Sequence, residues 1–252
     1  MKINIYIIAL IHLLSHTAVG ETLRLTNGEW PPYLSKELKH YGVASHIVES
    51  AFKNVGISVK YGFFPWKRSF ILAQRGKWDG SVIWSITKER KKNFYFSQPV
   101  AHDVNVFFYM KSKPFEWKKY SDLKGLIIGG TLSYYYGKEF TKNEKDGNIY
   151  VERSVKDETG FKKLLNRRID LFVCNLDVGY HLINNMYPIE TASLITNHAK
   201  PIVEAPLSLI LSKKIDKNKR LIKLFNKGLQ QLKDSGNYDA YYDSSRRGKY
   251  KK

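Results

Sequence analysis

The sequence predicts an α/β protein with helices on both faces of its sheet. Two runs of the chain, residues 23–84 and 121–174, alternate short apolar strands with stretches at helical spacing, the order that builds such sheets. The composition agrees. With 43% apolar and 14% aromatic residues, the chain can fill a sizeable core, which excludes global disorder. Its 252 residues suit one large domain or two lobes of about 100 to 120 residues each.

The first run opens on a strand at 23–26, where apolar and polar residues alternate before the turn signals Asn27-Gly28 and Pro31-Pro32. A helix follows over 44–55, with Ile47, Val48, Ala51 and Phe52 on one face and Gly56 as its stop. Next come a strand at 57–63, a helix at 67–74 ending near Gly76, and a short buried strand at 82–84. The second run places a strand at 126–128, a turn at Gly129-Gly130-Thr131 and a helix start over 134–140, then a polar loop at 141–149. A helix at 159–166 and an apolar strand at 171–174 complete it, which makes Cys174 a small core residue rather than a reactive thiol. A last long helix at 219–233 spaces Leu221, Ile222, Leu224, Phe225, Leu229 and Leu232 along one face.

Residues 1–20 stand apart from the fold. A positive start at Lys2, a 12-residue apolar run over 3–14 and the small ending Ala18-Val19-Gly20 have the form of an export signal. The run is shorter than the roughly 20 residues that span a bilayer, so an uncleaved anchor is the weaker alternative. Cleavage after Gly20 and a periplasmic location are expected. Removal of this segment takes one Lys and no acid, lowering the formal charge from +19 to +18. So large a charge is compatible with nucleic acid, an anionic surface or an anionic solute. The Lys and Arg are dispersed, however, and no nucleic-acid-binding module is present. The basic cluster at 246–252 is expected to be a solvated tail. The seven His show no paired ligand spacing, and there is no phosphate loop or nucleophile motif, so neither metal nor cofactor is expected.

Several spaced motifs stand in order along the chain. They are Gly76-Lys77-Trp78-Asp79-Gly80, Ser85-Ile86-Thr87-Lys88-Glu89-Arg90, Phe96-Ser97-Gln98-Pro99, Asp122-Leu123-Lys124-Gly125 and Arg168-Ile169-Asp170. Together they resemble the family 3 solute-binding proteins of polar amino-acid ABC transporters, over essentially the whole chain beyond residue 20. The resemblance implies a type II periplasmic-binding-protein fold. Lobe one would be 21–110 plus 207–252 and lobe two 111–206, with crossings near 110–114 and 200–206. A monomer closing on a small carboxylate-bearing ligand, and delivering it to a membrane permease, is what such a protein would be.

The resemblance also proposes a site. Arg90 would grip the ligand carboxylate, for which its rigid fork of donors is suited, and Ser85 would assist. The alternative for Arg90 is a surface helix arginine among Lys88, Lys91 and Lys92, while Thr87 reads as a helix cap. From lobe two, Thr131 and Ser133 would bring a helix N-terminus to the same anion; turn and cap duty is the other reading. Trp30 and Trp66 would wall the pocket, with core packing as the alternative for each. The direction in which Trp84 points stays open. Where amino-acid binders of the family carry an acid for the ligand's ammonium, this chain has Asn175, and a second acid position holds Asn27. Asp177 and Glu29 are nearby acids available as substitutes; otherwise the ligand lacks a free amine or is more anionic. Two rival functions remain. Cyclohexadienyl dehydratases share this fold, but no motif singles out their buried acid. A sensory module for a separate receptor is the second.

Overall fold

A computed structural model describes residues 21–132 and 134–252, so the expected export signal and Ser133 lie outside the described residues. The first run forms β1 (Thr22–Asn27), α1 (Val43–Lys53), β2 (Ser58–Phe63), α2 (Trp66–Gln74), β3 (Gly80–Ser85) and α3 (Lys88–Asn93). A 17-residue strand β4 (Phe94–Met110) leaves it. The second run forms β5 (Ile127–Thr131), α4 (Lys138–Lys145), β6 (Tyr150–Ser154), α5 (Asp157–Leu165), β7 (Leu171–Asn175), α6 (Leu176–Met186), α7 (Ile189–Ala192) and β8 (Ile195–Asn197). The chain returns through β9 (Val203–Ser212) and ends in α8 (Asn218–Asp234) and α9 (Asn237–Arg246).

The strands hydrogen-bond in the order β2-β1-β3-β9-β4-β7-β5-β6, with β8 beside β4. Both flanks are parallel, β2-β1-β3 on one side and β6-β5-β7 on the other. Each needs a helix as its crossover, which is why strand and helix alternate in both runs. Between the flanks, β4 and β9 run antiparallel to each other, with Ala101 opposite Leu207 and Asn105 opposite Val203.

The apolar residues divide along this line. One core gathers Leu23, Ile47, Val48, Phe52, Leu211, Phe225 and their neighbours. Two further clusters gather Phe108, Phe161 and Phe172, and Phe107, Trp117 and Phe140. These are the two lobes of a type II periplasmic-binding-protein fold. Val106, Phe107 and Phe108 already pack into the second lobe, so the outward passage lies inside β4, around 102–105. That is earlier than the expected crossing at 110–114, because one uninterrupted strand serves both lobes. Within lobe one, α1 and α8 press together at Gly228, where a Cβ would lie 1.9 Å from the Ala51 carbonyl oxygen.

Three local expectations are corrected. Gly129 and Gly130 continue β5 rather than turning. A Cβ at Gly129 would lie 2.4 Å from the Ile169 side chain, so the glycine admits a close neighbour. The next helix starts only at Lys138 and takes in much of the expected loop over 141–149. The C-terminal stretch is not a frayed tail: Tyr250 is buried, its carbonyl accepts from the Lys39 amide at 2.9 Å, and its hydroxyl meets His46 Nδ1 at 2.6 Å.

Candidate functional site

The residues singled out from sequence fall into two groups. The first, on lobe one, is built by the end of β3 and the short helix α3. Ile83 has φ of 46°, unusual for a β-branched residue, where the pairing of β3 with β9 shifts register. Trp84 lies just past this bulge, its indole N–H donating to Ser81 Oγ at 2.8 Å and its ring 5.2 Å from that of Trp66. Thr87 caps α3 by accepting from the Arg90 amide at 3.2 Å. The Arg90 guanidinium donates to Ser85 Oγ at 2.6 Å and to the Ser85 carbonyl at 2.8 Å, and lies 4.9 Å from the Trp84 ring centre. Partial burial lowers its pKa from the ordinary guanidinium value. Arg90, Ser85, Trp66 and Trp84 therefore form one cationic, aromatic-backed cluster.

The second group surrounds a cavity of about 340 Å³ between the lobes, lined by Trp30, Asp103, Asn105, Tyr134, Tyr135, Tyr136, Asp157, Asn175 and Val178. Trp30 comes from lobe one and rests against Tyr33, ring centres 4.7 Å apart. Asp103 and Asn105 project from β4, alternating with Val104 and Val106 as strand geometry requires. Asn175 ends β7 and caps α6, its Oδ1 accepting from the amides of Asp177 and Val178 at 3.0 Å each. Its Nδ2 donates to Asp103 Oδ1 at 2.9 Å. Asp157, first residue of α5, accepts from Thr131 Oγ1. Burial raises the Asp157 carboxyl pKa, partly opposed by that hydroxyl.

None of the residues that Arg90 touches lines this cavity; of the cavity's lining, Trp30 shares lobe one with Arg90. Thr131 is buried at the end of β5, reaching the cavity only through Asp157; the helix that follows it in the chain, α4, begins seven residues on, and the helix N-terminus beside it is that of α5. The helix N-terminus expected after Thr131 thus belongs to α5 and not to the segment that follows it in the chain, and Ser133 lies outside the described residues. The candidate substitutes for the missing acid are corrected too. Glu29 is exposed and accepts from the Lys36 amide at 3.3 Å. Asp177 faces away from the cavity and is bound to Arg246 and Tyr33. Asn27 is fully buried, donating to Ser45 Oγ at 2.9 Å, and is a core residue.

The acids that do reach the cavity, Asp103 and Asp157, were not singled out from sequence. For Asp103 the signal was present, in polar residues two apart within an apolar stretch. Cys174 is buried, and burial pushes its thiol pKa well up, as befits a core residue. Among the described residues no cluster of three metal-ligating side chains occurs, and no helix is long and apolar enough to cross a membrane.

The two-lobed fold and the interlobe cavity are the marks of a solute-binding protein. The chain belongs to the bacterial extracellular solute-binding proteins, family 3, whose pattern matches residues 25–245. It is 26% identical to the probable histidine-binding protein of Campylobacter jejuni, over 87% of this chain and 83% of that protein. Among solved structures it is similar to the second substrate-binding domain of Lactococcus lactis GlnP in its open conformation. That match has a TM-score of 0.74 at 21% identity, covering 91% of this chain and 97% of that one. An ancestral arginine-binding protein bound to arginine matches with a TM-score of 0.51 at 25% identity, over 88% and 97% of the two chains.

Proposed function

We propose that this protein captures an amino acid between its lobes outside the cytoplasm and hands it to an ABC permease. The observation that carries the reading is the cavity itself: Asp103 from the crossing strand β4 and Asp157 and Asn175 from lobe two face an indole from lobe one across about 340 Å³, while the Arg90 guanidinium, held by Ser85, stands on the same lobe as the indole. Arg90 and Ser85 supply the carboxylate contact, and Asp103 and Asp157 supply the partners for a cation. Trp30 and the tyrosines at 134–136 form apolar walls, the usual companions of a few convergent polar groups.

Asp103 and Asp157 answer the difficulty raised by Asn175. An ammonium beside Asn175 meets Asp103 through the same hydrogen-bond network, so the charge absent at one position stands at its neighbour. No Lys or Arg lines the cavity, which favours a ligand that brings positive charge. The names of the relatives, a probable histidine-binding protein and an arginine-bound ancestor, support an amino acid of this kind. Binding rather than catalysis is favoured because each carboxylate here is tied into a hydrogen bond with its neighbours.

A thermal-shift panel of the amino acids, di- and tricarboxylates and small peptides tests the reading. Stabilisation by histidine, arginine or lysine is expected. Stabilisation by acidic compounds alone contradicts it, as does turnover of prephenate or arogenate.

A further inference from the structure

We infer that Asp177 and Arg246, with Asn184 and Tyr33, form a latch behind the hinge that resists lobe closure and so sets how tightly the cleft holds its solute. The inference rests on the reading that the cleft works by closing, and concerns the regulation of that same site.

The two faces of β4 give the geometry. Successive residues of a strand point to opposite sides. Asp103 and Asn105 line the ligand cavity, whereas His102 and Val104 line a separate depression of about 170 Å³ with Asp177, Tyr242 and Arg246. The latch therefore lies on the reverse face of the crossing strands from the cleft.

Asp177 belongs to α6 of lobe two, and both its oxygens are held by lobe one. Arg246 Nε donates to Oδ1 at 2.6 Å, and the Tyr33 hydroxyl donates to Oδ2 at 2.8 Å. A second tie joins the same helices, Asn184 Nδ2 donating to the Arg246 carbonyl at 2.6 Å. Helix α9 is not free to follow lobe two, because the hydroxyls of Tyr238 and Tyr242 both donate to the Val100 carbonyl at 3.0 and 3.2 Å. Lobe one thus anchors its half of the latch, and on the lobe-two side the Asp177 amide donates to Asn175 Oδ1 at 3.0 Å.

Lobes that swing together on the cleft face of a hinge draw apart on the reverse face. A donor–acceptor contact of 2.6 Å ceases to be a hydrogen bond after roughly one ångström of separation. Opening it strands Asp177, whose side chain is only 4% exposed, without its charged partner. Closure carries that penalty, and the observed affinity falls with the fraction of molecules able to close. Arg246 and Asp177 are positioning residues in this sense: they touch no ligand.

Distance measurement in the absence of any solute tests the latch apart from the function. Nitroxides on cysteines placed at Lys88 in lobe one and Lys156 in lobe two, both exposed, report the lobe separation by pulsed electron resonance; Cys174 is buried and stays unlabelled. The double variant Asp177→Asn/Arg246→Gln removes both charges without leaving either alone. It is expected to raise the short-distance population at least threefold. Asn184→Ala, a milder change, is expected to move it the same way by less, which keeps the test decisive if the double variant does not fold. Unchanged or longer distances in folded variants overturn the latch while leaving solute capture untouched. In titrations with L-histidine or L-arginine, whichever the wild type binds, the expected result is a rise in affinity of threefold or more; a loss overturns the latch.

Discussion

The Asn175 amide donates to Asp103 at 2.9 Å, joining the end of β7 to the hinge strand β4 at the wall of the cavity. The pair converts a site that looks uncharged in sequence into one with a carboxylate beside the amide. Asp103→Asn is therefore expected to weaken the binding of a cationic amino acid at least tenfold, since a charge-assisted contact is worth about 1.5 to 3 kcal/mol. Calorimetry on the variant checks this, with thermal melts to show that the fold is retained.

Asp157 offers a test in pH. Its pKa is raised by burial, so the folded state binds its proton more readily than the unfolded chain. That contribution is fully present below the unfolded pKa and lost as pH rises through the folded one. Asp157→Asn should accordingly be more stable than wild type at pH 7, by about 1 °C or more in melting temperature. The gap should shrink as pH falls below the ordinary carboxylate range. Ligand affinity should drop in the same variant, because the proposed contact to the ligand's cation loses its charge.

The close approach of α1 and α8 predicts a stability effect remote from the cleft. Gly228→Ala forces a Cβ against the Ala51 carbonyl oxygen, which is backbone and cannot swing aside. A loss of about 1 to 3 kcal/mol in urea unfolding is expected. The m value should stay unchanged, and a variant as stable as wild type contradicts the helix contact.

Tyr250 predicts that the last residues matter. Its ring is buried against lobe one, and its backbone carbonyl holds Lys39. Deleting residues 249–252 should cost about 1 to 3 kcal/mol, the scale of burying one large side chain. A solvated tail would cost nothing.

Much of the fold was legible because periodicity reports burial. The strand expected at 57–63 and the helix at 67–74 lie within a residue of β2 and α2. Features that escaped did so for physical reasons. The glycines at 129–130 have two uses, turning and close packing, and sequence does not distinguish them. Strand β4 is masked by Pro99, which sits at a register shift where its missing N–H is tolerated. Helix α9 is rich in Tyr, Asp and Ser, and its packing against α1, α6 and α8 overrides weak propensity. At the site, motif positions led to Arg90, Ser85 and Trp30, yet Asp103 and Asp157 follow no motif. Only the pairing of β4 with β7 and the placement of α5 bring those acids to one cavity.

In the proposed function a guanidinium on lobe one and acids on the hinge strand and lobe two hold one amino acid between them. Calorimetric titration of Arg90→Ala, with the amino acid that most stabilises the wild type, tests it most directly. Loss of a bidentate charged contact predicts at least a tenfold fall in affinity, about 1.4 kcal/mol, with the melting temperature of the solute-free protein unchanged. Wild-type affinity in a folded Arg90→Ala protein contradicts the account.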